Sequence, residues 1–262
     1  MKLALVGAGK MGGAVLTGAL RAGVLDAAEV GIYHPDEARR TALAAQYGVT
    51  PFTDDDIHAA ERVLIAVKPQ SFDEVAPLIA QRSAAYISLM AGVSAETIAR
   101  RVGSARVVRA MPNLGARVGL SATALAHLPQ AEGEDVAFAE RLFCAVGTVY
   151  RIPERLFDAF TGLAGSGPAF AAVFAEALAD GGVRVGFSRE VAQGLAKQVL
   201  LASATLLGAE SPGNLKDEVA SAGGTAIAGV MALEQHGLRY AAMQAVEMAA
   251  KRAAELSRAD ER

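Results

Sequence analysis

Residues 3–13 read LALVGAGKMGG. An apolar run passes straight into glycines spaced G-x-G-x-x-G at Gly7, Gly9 and Gly12, and helical periodicity follows. In a strand–turn–helix unit each of these glycines has its own task. Gly7 permits a tight turn, Gly9 lets the backbone approach a pyrophosphate, and Gly12 lets the helix pack closely on the strand. The phosphates then meet N–H groups at the helix N-terminus. Gly7, Ala8, Gly9, Lys10, Met11 and Gly12 are therefore expected to bind a dinucleotide.

The grammar of the next stretches agrees. EVGIYHP reads as a second strand and Glu37 to Tyr47 as a helix. RVLIAVKP, AAYISLMAG and ARVVRAMPN follow, each a strand ending in a polar or glycine-bearing loop, with helices between them. LSATALA and GTVYRI read as later strands flanking a helix from Glu132 to Val146. Strands alternating with helices imply parallel strands joined by right-handed crossovers. Residues 1–152 are thus expected to form a Rossmann-type, doubly wound parallel sheet. After Pro153 the pattern becomes helical, with segments 154–164, 168–182, 188–207, 213–220, 225–235 and 238–257. PAFAAVFAEALA and GTAIAGVMALE have little polar face, and six helices enclose little interior. Residues 153–262 are therefore expected to be an all-α domain that buries these helices against a second subunit.

Composition narrows the function classes. With 262 residues, 52% hydrophobic and 20% charged, the chain has room for a large core. Net charge is −3, with the two signs interspersed, and Trp is absent. No basic stripe or stacking platform points to nucleic acid. No signal peptide and no uninterrupted apolar run of about 18 residues is present, so a soluble cytoplasmic protein is expected. The single Cys144 excludes an internal disulfide and fits a reducing compartment. Its setting, RLFCAVG, reads as the apolar face of a helix, so a buried thiol is expected. No metal site is expected.

Other residues bear on the choice of cofactor. The second strand ends in IYHP, without the acid that usually accepts from an NAD ribose hydroxyl. That permits a 2′-phosphate, with His34 and Arg39 as candidate contacts and Arg40 beside them. NADPH is expected, with NADH as the alternative. Asp36 reads as a helix cap, His34 reads equally as a turn residue, and the arginines as a solvated face. Ala66, Val67, Lys68 and Pro69 end a strand at the edge where open parallel sheets bind ligands. The same geometry puts Ala91 and Gly92, and the MPN of Met111 to Asn113, around the nicotinamide.

The helical half contains PGNLKDEVASAGGTAIAGVMALE, Pro212 to Glu234. This resembles the signature of pyrroline-5-carboxylate reductases. Further blocks resemble the same family in order: GAGKMGGA, AVKPQ, SLMAGVS, RVVRAMPN, FDAFTGLAGSGPAF and EALADGGVRVGFSRE. The resemblance covers nearly the whole chain. It implies reduction of the cyclic imine L-1-pyrroline-5-carboxylate to L-proline, the last step of proline biosynthesis, by a homodimer or an oligomer of dimers. It also gives the glycine turn a substrate carboxylate to hold. Gly223 and Gly224 keep Cβ atoms away, Ser221 donates its hydroxyl, and N–H groups from Gly224 and Thr225 onward point outward. Ser166, before the long central helix, lines the pocket or serves as the helix entry. Four positions depart from the family pattern. Ala222 stands where proline is usual, and Leu114-Gly115 where Thr-Pro is usual. Ala226 replaces a threonine thought to hydrogen-bond the imine nitrogen, which leaves Thr225 or water to assist the proton. The alternatives are a related imine reductase, a β-hydroxyacid-dehydrogenase-like enzyme using Lys197 or Lys216, and a nucleotide-binding relative without turnover.

Overall fold

A computed structural model describes residues 3–260. Its elements divide into two compact units, Met1–Gly165 with Ala249–Arg262, and Ser166–Met248.

The first unit is built on eight strands. They are β1 (Leu3–Val6), β2 (Val30–Tyr33), β3 (Thr50–Pro51), β4 (Arg62–Ile65), β5 (Ala85–Ser88), β6 (Val107–Pro112), β7 (Ser121–His127) and β8 (Gly147–Arg151). The helices between them are α1 (Lys10–Arg21), α2 (Glu37–Tyr47), α3 (Asp54–His58), α4 (Phe72–Ile79), α5 (Ala95–Val102) and α6 (Gly133–Cys144). Alternation along β1 shows why both faces must be covered. Leu3 and Leu5 pack with Val15 and Leu16 of α1 and with Phe138, Leu142 and Phe143 of α6. Ala4 and Val6 pack on the other face with Phe72, Val75 and Ile79 of α4 and Ile98 of α5. Burying each such Leu, Ile or Phe contributes about 1.5–3 kcal/mol.

The sheet order is β3-β2-β1-β4-β5-β6-β7-β8, and the first six strands run parallel. One strand departs from this parallel-dominated sheet: β7 pairs antiparallel with β6. The connection 113–120 holds only a short 3-10 turn, Leu114–Val118. A parallel return needs a crossover of roughly a dozen residues or more. Helix α6 supplies one for the next step, so β8 runs parallel to β7.

Asp135 of α6 is fully buried and accepts from Arg62 at 3.2 Å and from Arg106 at 2.9 Å. The carboxylate holds Arg106 above the usual guanidinium range. This network staples α6 to the amino edge of the sheet, opposite the ligand-binding edge. Cys144 is exposed, against expectation. Leu142, Phe143 and Val146 occupy the inward positions, which turns residue 144 to the outside.

After Pro153 come α7 (Phe157–Phe160), a π turn (Thr161–Gly165), α8 (Gly167–Arg184), α9 (Arg189–Leu206), α10 (Pro212–Val219), α11 (Thr225–Gln235) and α12 (Leu238–Asp260). Pro168 sits in the first turn of α8. Ser188 and Ser211 cap α9 and α10 through their hydroxyls. In the second unit the buried apolar cluster consists of Ala179, Ala192 and Ala196, where α8 and α9 meet through small residues. Large apolar side chains point outward instead: Val173, Val199, Leu201, Met231 and Met243 are each more than half exposed.

Candidate active site

The strand order reverses between β1 and β4, so a crevice opens beyond their carboxyl ends. The loop after β1 enters it with Gly7 at φ +89. A Cβ on Gly7 would meet the Ala66 carbonyl at 2.8 Å, and one on Gly12 would meet Gly7 O at 2.6 Å and Ala66 Cβ at 2.8 Å. Gly9 differs, since a Cβ there would have nothing within 4 Å. It is the N-cap of α1 and no side chain caps that helix, so the first-turn N–H groups face an open approach. Lys10 is exposed at the helix start, while Ala8 and Met11 pack against the core. The partner loop begins with Ala66, whose N–H donates to Val6 O at 2.8 Å. Lys68 is exposed, and Pro69 opens a 3-10 turn after it.

At the end of β2, Tyr33 is buried and donates to Asp54 at 2.8 Å. Burial, reinforced by Asp54, pushes its hydroxyl up to about 12. That leaves His34 as the first residue of the strand end open to a ligand. His34 Nδ1 accepts from Asp36 N at 3.0 Å, and its carbonyl accepts from Arg40 at 3.3 Å. Arg39 is exposed, and Asp36 caps α2 by accepting from Arg39 N. His34 is thus a turn-former with one ring nitrogen left over, and Arg39 a solvated cation beside it.

The loop after β5 places exposed Ala91 next to Gly92, whose φ is +77. Asn113, after β6, donates to Ala164 O at 2.8 Å and accepts from Gly115 N and Ala122 N. Gly115 is required there, because a Cβ would fall 2.3 Å from Leu120 O. Sequence reasoning passed over Arg109 and Glu154, which form a 2.7 Å ion pair behind this loop. Arg109, the one charged residue in the strand Val107–Pro112, was the available signal.

In the second unit the turn before α11 has Gly223 at φ +66 and Gly224 as the N-cap, again with no side-chain cap. One detail of the expected turn changes. The Gly224 N–H donates to Ser221 O at 3.0 Å, so it closes the turn rather than pointing outward. The left-handed residue of the turn is Gly223, and Gly224 has φ −78. Ser221, Gly223 and Thr225 are exposed, and Thr225 and Ala226 begin the helix. Ser166 is the entry residue of α8; its carbonyl accepts from Ala169 N at 2.9 Å, and its hydroxyl does not cap.

Similarity to known proteins decides the family. A pyrroline-5-carboxylate reductase from Thermus thermophilus is 51% identical over 99% of this chain and 100% of its own length. This chain belongs to the pyrroline-5-carboxylate reductase family. A second family member, from Pisum sativum, is 40% identical over 97% of this chain and 96% of its own length. The family model described as pyrroline-5-carboxylate reductase dimerisation matches residues 154–256, and one described as NADP oxidoreductase coenzyme F420-dependent matches residues 2–92. Among solved structures, the Coxiella burnetii reductase superposes with TM-score 0.89 at 28% identity, over 97% of this chain and 98% of that one. The Plasmodium falciparum enzyme, solved with NADP bound, gives 0.84 at 26% identity, over 98% of both chains. The chain is an NAD(P)H-dependent reductase with a NADP-type nucleotide domain followed by a dimerisation domain, and it forms homo-oligomers.

The dimerisation match also bears on a second finding. The stretch Glu154–Arg184 is long and apolar enough to cross a membrane by length and composition. It lies wholly inside the dimerisation match, which offers a protein surface to cover it. Lys216, one of the two lysines of the dehydrogenase alternative, pairs with its neighbour Asp217 on exposed α10.

Proposed function

We propose that this chain reduces L-1-pyrroline-5-carboxylate to L-proline with NADPH, NADH being the slower donor. The observation that carries the reading is the uncapped, glycine-led helix start at Ser221 to Thr225, within the reductase dimerisation match. The functional division falls at residues 152 and 153, nucleotide half before and substrate and dimerisation half after.

Bound NADPH supplies the hydride. In the nucleotide half, Gly7, Ala8, Gly9, Lys10, Met11 and Gly12 hold the pyrophosphate on the start of α1. His34 and Arg39 take the 2′-phosphate, where no carboxylate ends β2 to repel it. Ala66, Val67, Lys68 and Pro69 line the facing side, and Ala91 and Gly92 leave room for the nicotinamide. In the helical half, the Ser221 hydroxyl and the N–H groups of Thr225 and Ala226 receive the substrate carboxylate, favoured by the helix dipole. Gly223 and Gly224 keep that approach clear, and Ser166 lines the pocket.

The imine carbon gains the hydride and the nitrogen ends as an amine bearing one more proton. A cyclic imine is more basic than a ketone, so much of it arrives already protonated near neutral pH. General acid catalysis, often worth 10²–10⁴-fold, is then in little demand. Ala226 is compatible with turnover on that ground, with the Thr225 hydroxyl or water assisting. The chief contribution is positioning the two reactants.

The smallest active unit is a homodimer, alone or within an oligomer of dimers. The exposed apolar side chains of α8, α9, α11 and α12 support this, since monomers rarely leave such a surface in water. The protein works in the cytoplasm, free of membrane and nucleic acid. The test is oxidation of each reduced nicotinamide by purified protein given the cyclic imine, with proline identified as product. Turnover faster with NADPH is expected. No turnover with either cofactor in folded protein would falsify the reading.

A further inference from the structure

We propose that Arg109 and Glu154 are positioning residues that hold loop 89–94 in the shape that receives the nicotinamide end of the cofactor. The inference rests on the reading that Ala91 and Gly92 face that ring. The loop leaves β5, beside β4 at the carboxyl edge of the sheet. Met90 and Val93 turn their side chains into the core at 2% and 5% exposure, so the tip between them presents mainly backbone. Two backbone groups at the ends of that tip are gripped from outside. Met90 O accepts from Arg109 Nη2 at 3.3 Å, and Ala95 N donates to Glu154 Oε1 at 2.7 Å. The same Oε1 accepts from Arg109 Nη1 at 2.7 Å. One carboxylate oxygen therefore joins both grips.

The surroundings make this a rigid device. Arg109 is 6% exposed, with its guanidinium 4.7 Å from the centre of the Phe157 ring. Ala95 begins α5, and the Ser94 hydroxyl caps Thr97 N rather than Ala95 N. Without Glu154 that first-turn N–H would lose its partner. With Arg109 buried and Glu154 half-buried, the pair is a poor source of stability, because taking the arginine out of water offsets much of the attraction. It does impose direction, since a planar fork and a carboxylate fix each other's geometry. Here the fixed direction is passed to a loop tip, Ala91 and Gly92, that has no polar side chain of its own.

The experiment uses full-length Glu154→Ala and Glu154→Gln, titrated with NADPH and with 2′-phospho-ADP-ribose, which lacks only the nicotinamide. Glu154→Ala should weaken NADPH about tenfold and lower kcat about ten- to a hundredfold, the scale on which small misplacements act. Binding of 2′-phospho-ADP-ribose should stay as in the wild type. Glu154→Gln keeps an acceptor oxygen for Ala95 N and should restore most of both losses. Equal weakening of the two nucleotides, or of neither, overturns the proposal. Should Glu154→Ala not fold, Arg109→Lys keeps the charge but loses the fork to Met90 O, and the same split is expected. Equal affinity of the wild type for the two nucleotides refutes the nicotinamide reading itself. A wild-type preference for NADPH that the variants leave intact refutes only the clamp.

Discussion

Two glycine turns open two helices in this protein, and they are built differently. Both helices, α1 and α11, have glycine as N-cap and no side-chain cap. Several other helices are capped by Asp36, Thr53, Ser94, Ser188 or Ser211. A capping hydroxyl or carboxylate satisfies first-turn N–H groups, and a glycine leaves them for a ligand. Around that shared feature the packing diverges. Gly7 and Gly12 are hemmed in by Ala66 and by each other, so the first turn is locked onto the sheet. A Cβ on Gly223 would meet nothing within 4 Å, so the second turn is held by its own Gly224-to-Ser221 bond. The lesson is that the turn before α1 is fixed by its fold, whereas the turn before α11 is fixed locally and stands more open to its surroundings.

The sharpest way to break this contrast is Gly12→Val. Its side chain would overlap Gly7 O and Ala66, an overpacking that costs about 1–3 kcal/mol or more. Both Tm and NADPH affinity should fall together, as thermal unfolding and cofactor titration would show. A variant with intact Tm and intact NADPH binding would mean that the first turn is not locked by packing.

Gly224→Val should separate the two properties. Its φ of −78 suits any residue, so left-handed strain plays no part. Its Cβ would, however, fall 2.4 Å from Ser221 Oγ and push that hydroxyl aside. Imine turnover should drop strongly while Tm and NADPH affinity hold. Loss of stability on the scale of Gly12→Val would erase the distinction between the turns.

Ser221→Ala is milder. It removes one donor to a charged group, about 1.5–3 kcal/mol, so substrate KM should rise roughly ten- to a hundredfold with NADPH binding unchanged. Weaker NADPH with an unchanged KM would assign the turn to the wrong ligand.

The smallest effect is expected from Thr225→Val, and it depends on pH. As pH rises, less imine arrives protonated, so a hydroxyl that assists the proton matters more. A loss in kcat that grows toward alkaline pH supports that role for Thr225. A uniform loss, or none, leaves the proton to solvent and substrate.

Much of this was legible in the chain itself. Period-two alternation, the glycine spacing and the run of strands gave the doubly wound sheet, because such patterns reflect which face of each element must leave water. The apolar late helices signalled a missing partner for the same reason. Several points were not legible. The reversal at β7 depends on how far a short connection reaches, and the side of a helix to which Cys144 turns depends on its neighbours' packing. The Gly224 N–H was engaged by a carbonyl within the same turn, and conformation rather than composition decides that.

The sequence by itself determined the fold class, the glycine loop after the first strand and the family, since local periodicity and fixed spacings are properties of the chain. Only the tertiary structure decided which glycine bears the positive φ and that Arg109 and Glu154 meet behind the loop after β5. Arg109 and Glu154 are 45 residues apart in the chain, and their 2.7 Å contact exists because folding brings β6 and the turn before α7 together.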